Sequence, residues 1–276
     1  MSRVKFNDYE EYEEYEQPKS ILKSSERGYT MAPPVVKKPV IKPSKKSSDI
    51  IPDYTKLAVK EGEGCCHKCD ENFHNHYIKP CQTIGVIGPT GSGKSNWVVD
   101  FINRKNNVFY EIIYFTGSTA DEALLNLLKK HIEGIEIIDD VDNLPILTDY
   151  NDSDKSNEKL IIFDDVINLT SKQLKEIQKF FNSGRKYGFT MLFLAQNYTN
   201  IPTQIRRNLM MLVLFRMNDN TTISNILRNH SSGEEKEIIK RSYFNSTASK
   251  GQCFIIDFGA EPDRKYRSNF TTFLSL

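Results

Sequence analysis

The sequence predicts a three-layer α/β fold built on a mainly parallel sheet, and three observations carry that expectation. From residue 83 onward, short β-branched and aromatic runs alternate with helical patterns. Runs such as Leu160 to Phe163 and Met191 to Leu194 are apolar on both faces, as strands covered by helices on each side must be. A glycine-rich segment, Gly88 to Gly93, sits directly between one such strand and a helical pattern.

Taken in order, strands are expected at 83–88, 109–115, 135–139, 159–164, 189–196, 209–216 and 252–258. Helices are expected at 94–104, 120–131, 171–182, 220–229 and 233–245, with Asp or Ser near several starts as N-caps. The polar run Asp149 to Glu158 reads as a surface loop before a strand, and no internal repeat is present. The span between Ser95 and Asp164 holds two strand patterns, so a strand is expected to be inserted between the one before the glycine-rich segment and the one ending at Asp164.

Residues 1–60 have a different composition. Asp8, Glu10, Glu11, Glu13, Glu14 and Glu16 interleave with tyrosines, and Pro33 to Ser48 carries five lysines with four prolines and no acid. An acidic block followed by a basic, proline-rich one has too little apolar surface to form a core, and it is expected to be disordered. A solvated linker, a tail touching phosphates or acidic patches of a partner, and association of the two blocks with each other all fit this composition. The 61–82 segment is rich in Cys and His, and 83–276 holds the alternating pattern. With 276 residues, 38% hydrophobic, the chain is long enough for one sizeable core plus such appendages. A net charge of +1 gives no overall field for nucleic acid, so any DNA binding must use a local basic surface. The longest apolar run, Leu209 to Phe215, is far short of the roughly 20 residues of a membrane-spanning helix. No transmembrane segment is expected, and with no secretory pattern at the N-terminus an intracellular protein is expected.

Gly88-Pro89-Thr90-Gly91-Ser92-Gly93-Lys94-Ser95 matches G-x-x-x-x-G-K-[ST] in full and has the strand before it and the helix after it that the motif requires. The glycines let backbone N–H groups turn inward around phosphates, and the helix presents its positive end to them. Lys94 is placed to reach the β and γ phosphates and Ser95 to ligate Mg²⁺. The apolar strand Leu160 to Phe163 ends in Asp164 and Asp165. There Asp164 fits a water-mediated partner for Mg²⁺, and Asp165 fits the carboxylate that polarises the attacking water; a helix N-cap is the plainer alternative. The strand 189–196 ends in Gln196 and then Asn197, where an amide can contact the γ-phosphate or the lytic water, or simply cap the strand. Arg185, on the loop entering that strand, is a candidate finger for a neighbouring subunit's site, with Arg206 and Arg207 as rivals. No Asn-Lys-x-Asp or Leu-Ser-Gly-Gly-Gln segment is present, which favours ATP over GTP.

These motifs together, with Ile161-Ile162-Phe163-Asp164-Asp165-Val166, Gly184-Arg185-Lys186-Tyr187-Gly188 and Ile201-Pro202 leading to Ile205-Arg206-Arg207-Asn208, resemble the FtsK–HerA superfamily. The likeness covers residues 80–260 and is greatest to genome-packaging ATPases of large DNA viruses, virophages and related transposons. It implies a RecA-like, ring-forming ATPase that translocates double-stranded DNA, with a capsid vertex or other viral proteins as partners. It also implies a location in the host cell cytoplasm, at the virus factory, and in the virion. By the same resemblance Lys94 and Ser95 take the Walker A roles, Asp164 and Asp165 the Walker B roles, Gln196 the sensor role and Arg185 that of the trans finger. Asp165 stands where cellular members more usually carry Glu. A helicase or segregation translocase would share every catalytic residue, and a nucleotide-gated scaffolding protein would share the binding loop.

Four of five cysteines crowd ahead of the main motif: Cys65, Cys66, Cys69 and Cys81. With His74 and His76 they offer enough thiolate and imidazole for tetrahedral Zn²⁺, Cys66 and Cys69 forming the best half-site and His74 and Cys81 the candidate second half. Reduced thiols or small buried hydrophobes fit equally. If the cluster holds zinc, elemental analysis of purified protein will find about one equivalent per chain, and finding none removes its metal role.

Overall fold

The computed structural model describes residues 70–105, 108–117, 122–132, 134–153, 157–166, 169–230 and 235–275. The acidic and basic blocks, with Cys65, Cys66 and Cys69, lie outside them.

Apolar runs that cannot meet water on either face become strands of one sheet. They are β1 (Thr83–Ile87), β2 (Phe109–Thr116), β3 (Ile135–Ile138), β4 (Glu158–Asp164), β5 (Phe189–Ala195), β6 (Met211–Phe215), β7 (Cys253–Asp257), β8 (Tyr266–Ser268) and β9 (Thr272–Phe273). Their order is β3-β2-β4-β5-β1-β6-β7-β8-β9. Pairings from β3 to β6 are parallel and those from β6 to β9 antiparallel. A strand does separate β1 from β4 as expected, but it is β5, from beyond Asp164; the two patterns between Ser95 and Asp164 are β2 and β3, outside β4. The helices are α1 (Lys94–Arg104), α2 (Glu122–His131), α3 (Ser171–Ser183), α4 (Thr203–Arg207), α5 (Asn220–His230) and α6 (Glu235–Ser246). β8, β9 and α4 were not expected, because segments of two to five residues are too short to show a period.

Alternation along each strand sends successive side chains to opposite faces. Trp97, Val98, Phe101 and Ile102 of α1 share one apolar layer with Ile84, Val86, Tyr114, Ile162 and Leu194. Ile177, Phe180 and Phe181 of α3 share the other with Ile113, Ile161, Phe163 and Phe193. Each such side chain contributes roughly 1.5–3 kcal/mol on burial. The start of α3 is fixed by a reciprocal cap: Gln173 N donates to Thr170 Oγ1 and Thr170 N to Gln173 Oε1.

Polar groups tie the sheet's margins. Arg267, on β8, donates to the carbonyls of His76 at 2.9 Å and Tyr77 at 3.1 Å. His76 and Ile78 are wholly buried, so residues 70–82, which the sequence sets apart, pack onto the ATP-motif domain. His76 Nε2 lies 2.9 Å from Asp70 Oδ2, while Nδ1 accepts from Ile78 N. Burial and then Lys105 hold its pKa down to about 4. Both ring nitrogens of His76 are therefore committed within the fold, His74 is exposed and Cys81 is buried. Among the described residues no three His, Cys, Asp or Glu side chains are grouped to hold a metal, and no helix is long and apolar enough to cross a membrane.

At the amino end of β4, Glu158 accepts from buried Lys105 at 2.7 and 2.8 Å and from Thr190 Oγ1. This pair joins the last turn of α1 to the sheet. Glu158→Ala leaves the buried Lys105 ammonium with only Asp70 among the described residues, 3.9 Å away, so a loss toward the lower end of roughly 3–5 kcal/mol is expected, read as a lower denaturant midpoint.

Candidate active site

Parallel register brings distant parts of the chain to one edge. Ile87 pairs with Ala195, and Phe163 pairs with Phe193. The chain therefore leaves β1, β4 and β5 at neighbouring points on the carboxyl-end edge, delivering Gly88, Asp164 and Gln196 there. Gly88 N donates to Ala195 O at 3.1 Å, which sets the loop's first turn against the end of β5.

The loop coils because its glycines have no Cβ. One added at Gly88 would fall 2.5 Å from Ser92 Oγ and 2.7 Å from Phe215 Cβ. Gly91 and Gly93 adopt φ of 74° and 110°, which other residues rarely reach. Gly93 is the N-cap of α1, so that helix points its positive end into the loop. Ser92 Oγ is buried with no hydrogen-bond partner among the described residues.

A cleft of about 340 Å³ opens beside this loop, lined by Thr90, Gly91, Lys94, Ser95, Thr116, Asp164, Asp165 and Gln196 among others. Lys94 Nζ folds over the loop, donating to Gly88 O at 2.8 Å and Pro89 O at 3.3 Å. Burial lowers its pKa, and Asp164 and Asp165 oppose that. Burial raises the pKa of Asp164, against a hydrogen bond from Tyr114 and the charge of Lys94. Dehydration thus pushes both groups toward neutrality, and the charge of each opposes that in the other. Asp165 has φ of 52°, and its carbonyl lies where a Cβ on Gly117 would stand, 2.3 Å away. Gly117 N donates to Asp164 O at 3.0 Å, fixing the turn from the other side. Gln196 is exposed at the cleft, and Asn197 accepts from Thr222 Oγ1 at 2.8 Å, tying the end of β5 to α5.

The structure brings together every sequence-predicted nucleotide and Mg²⁺ residue, and it keeps the arginines apart from them. Arg185 is exposed in the 3-10 turn Gly184–Tyr187, before the amino end of β5. The strand between it and the cleft spans roughly 20 Å. Arg206 sits over the Tyr198 ring at 5.2 Å and donates to Thr203 Oγ1; Arg207 is exposed. None of the three lines the cleft. Tyr114, Thr116 and Gly117, at the end of β2, escape sequence reasoning because no motif marks them. A second cleft, of about 330 Å³, lies on the β6 side of the loop, lined by Thr90, Arg216, Lys250 and Gly251 among others.

The residues present fit a nucleotide and its metal. The glycine cradle leaves the backbone open to phosphate oxygens, and Ser95 with Asp164 supplies the hard oxygen donors Mg²⁺ takes alongside phosphates. This fold and site define a P-loop ATPase. The family model described as Poxvirus A32 protein matches residues 71–258, and the chain belongs to that family, one of viral genome-packaging ATPases. Among solved structures it is similar to the genome packaging NTPase B204 from Sulfolobus turreted icosahedral virus 2 in complex with AMPPCP. That match has 14% identity and a TM-score of 0.47, over 70% of this chain and 98% of that one. It is also similar to EssC (ATPases 2 and 3) from Geobacillus thermodenitrificans, at 15% identity and a TM-score of 0.44, over 70% and 39%. The type VII secretion ATPase EccC of Thermomonospora curvata matches at 14% identity and a TM-score of 0.45, over 74% and 24%. No curated protein matches significantly.

Gly117→Ala puts a methyl group into the Asp165 carbonyl and must shift the turn carrying both carboxylates. Hydrolysis is expected to fall by at least about tenfold, since small misplacements at a reacting centre are costly. The melting temperature should fall as well, since the atom the methyl meets is backbone and cannot step aside, while nucleotide affinity, measured alongside, should change little.

Proposed function

We propose that this ATPase drives double-stranded viral DNA into a capsid, acting as a homo-oligomeric ring in the cytoplasm of the infected cell. One observation carries the ring: the cleft holds the phosphate loop, both carboxylates and the sensor amide, yet among the described residues no arginine lines it. Membership of a packaging-ATPase family supports DNA as the load and a capsid vertex as the docking partner.

In this reading Lys94 leaves its loop carbonyls for the β and γ phosphates, and the N–H groups of the 88–95 loop take the remaining oxygens. Ser95 and Asp164 hold Mg²⁺, which when bound neutralises charge developing on the β- and γ-phosphate oxygens. Asp165 accepts the proton of the attacking water on its carboxylate, and Gln196 orients that water against the γ-phosphate. The second cleft shares Thr90 and Gly91 with the first, which supports it as the place the nucleoside half would extend into, toward Arg216 and Lys250. Arg185 of a neighbouring subunit completes the site from outside. An arginine at the sheet's far edge serves a neighbour more readily than its own subunit.

Lys94→Ala and Asp164→Ala are each expected to abolish hydrolysis with the fold intact, because each removes one charge from the phosphate–metal cluster. Unchanged turnover in either purified variant refutes the site.

Steady-state ATPase measured with and without duplex DNA, beside a size determination, tests the ring motor. Duplex DNA should raise the rate, and high salt should weaken the stimulation as counterions compete for phosphates. Pure Arg185→Ala oligomers should bind ATP yet turn over about 10³-fold or more slowly, the scale of a trans arginine. Mixed with Lys94→Ala subunits they should regain activity, where an intact loop faces an intact arginine. A monomer indifferent to DNA, with no rescue in the mixture, overturns the ring motor and Arg185 alike; slow, single turnover indicates a nucleotide switch instead.

A further inference from the structure

Asp164 is held by a residue that no nucleotide-binding motif contains. β2 runs parallel beside β4, with Tyr114 opposite Ile162 and Thr116 opposite Asp164. Register alone therefore gives Asp164 a threonine as its neighbour. The tyrosine ring is long enough to reach one step further along the sheet, and its hydroxyl donates to Asp164 Oδ2 at 2.6 Å. The ring is 2% exposed and belongs to the apolar layer that contains Trp97, Phe101 and Ile162, so packing restricts its orientation.

A phenol at neutral pH keeps its proton, and an ionised carboxylate can only accept. The direction of this bond is therefore fixed, and it occupies one oxygen of two. Lys94, whose charge acts on this carboxylate, donates its hydrogen bonds instead to the carbonyls of Gly88 and Pro89. Asp164 is the last residue of its strand, followed by a turn in the left-handed region at Asp165, whose backbone N–H also bonds the Asp164 carboxylate; Tyr114 adds a side-chain donor anchored on the neighbouring strand.

We propose that Tyr114 is the positioning residue of the metal site: it holds Asp164 Oδ2 from β2 so that Oδ1 is presented to Mg²⁺ beside Ser95. This rests on the Mg²⁺-dependent ATPase reading above. Groups that orient a metal's ligands without touching the metal are worth tenfold to a hundredfold in its affinity, and a donor to a carboxylate is among the stronger of them.

Tyr114→Phe keeps the ring and its packing and removes only the donor. Binding of Mn²⁺ in the presence of ADP, followed by loss of the free-ion electron paramagnetic resonance signal, should weaken by about 10–100-fold. ADP affinity without metal should stay at the wild-type value. The Mg²⁺ concentration for half-maximal turnover should rise in step, with most of kcat recovered at saturating Mg²⁺. In an Asp164→Asn background the same substitution should have no further effect on Mn²⁺ binding, since the two side chains act as one unit. Wild-type metal binding in folded Tyr114→Phe overturns the proposal, and so does a loss that persists undiminished in the Asp164→Asn background. A melting-temperature drop with unchanged Mn²⁺ affinity also overturns it, leaving Tyr114 a packing residue. If wild-type turnover needs no metal, the ATPase reading itself fails, a result separate from either outcome at Tyr114.

Discussion

The parallel alignment of β4, β5 and β1 is the constraint on which the rest of the molecule depends. A parallel ladder lets strands far apart in sequence end at the same edge, because each crossover returns the chain to the opposite edge before the next strand begins. Here it gathers the 88–95 loop, Asp164 and Gln196 around one cleft. An antiparallel neighbour would have placed the two chain ends at opposite edges. Change to that pattern comes only beyond β6, where β7 to β9 close the sheet away from the acids. The same alignment explains the position of the arginines: Arg185 precedes β5, so it lies at the edge the cleft does not use.

Close backbone contact is the second requirement, met where side chains are missing. Gly88 lets the loop turn against Phe215 and Ser92, and Gly93 lets it lie against Gly251, whose Cα would stand 3.2 Å from a Cβ there. Gly117 does for the acidic turn what these do for the phosphate loop, allowing the Asp165 carbonyl to rest on β2. The left-handed φ at Asp165 is a strained choice for a non-glycine residue, tolerated by Asp and Asn more than by most. Two apolar layers hold the strands rigid enough for that strain to persist.

Electrostatics at the cleft follow from the same packing. Dehydration drives Lys94 and Asp164 toward their neutral forms, and each opposes that in the other. In the proposed reading a polyphosphate would set negative charge beside Lys94 and its metal positive charge beside Asp164, each favouring the charged form of its partner. The Lys105–Glu158 pair at the other edge has no such ligand to wait for. Its charges satisfy one another within hydrogen-bond distance, and it serves the fold alone.

Most of the fold was legible in the sequence because its strands are apolar on both faces and its longer helices have clear periods. That a strand separates β1 from β4 was expected from the two strand patterns between Ser95 and Asp164, but the strand that does so is β5, which follows Asp164 in the chain, while those two patterns became β2 and β3 on the far side of β4. The phosphate loop was legible because backbone conformation there is dictated locally, by glycines whose spacing can be read directly. Asp164 and Gln196 were legible as strand ends. Short elements escaped, since α4, β8 and β9 are stabilised by their neighbours more than by their own pattern. Only tertiary structure could bring Tyr114 to Asp164, put Gly117 beneath Asp165, engage His76 with Asp70 and turn Arg185 away from its own cleft. All but the His76–Asp70 contact, which is local and outside the strands, depend on which strands are neighbours and in what register, a long-range outcome of burying two apolar faces at once.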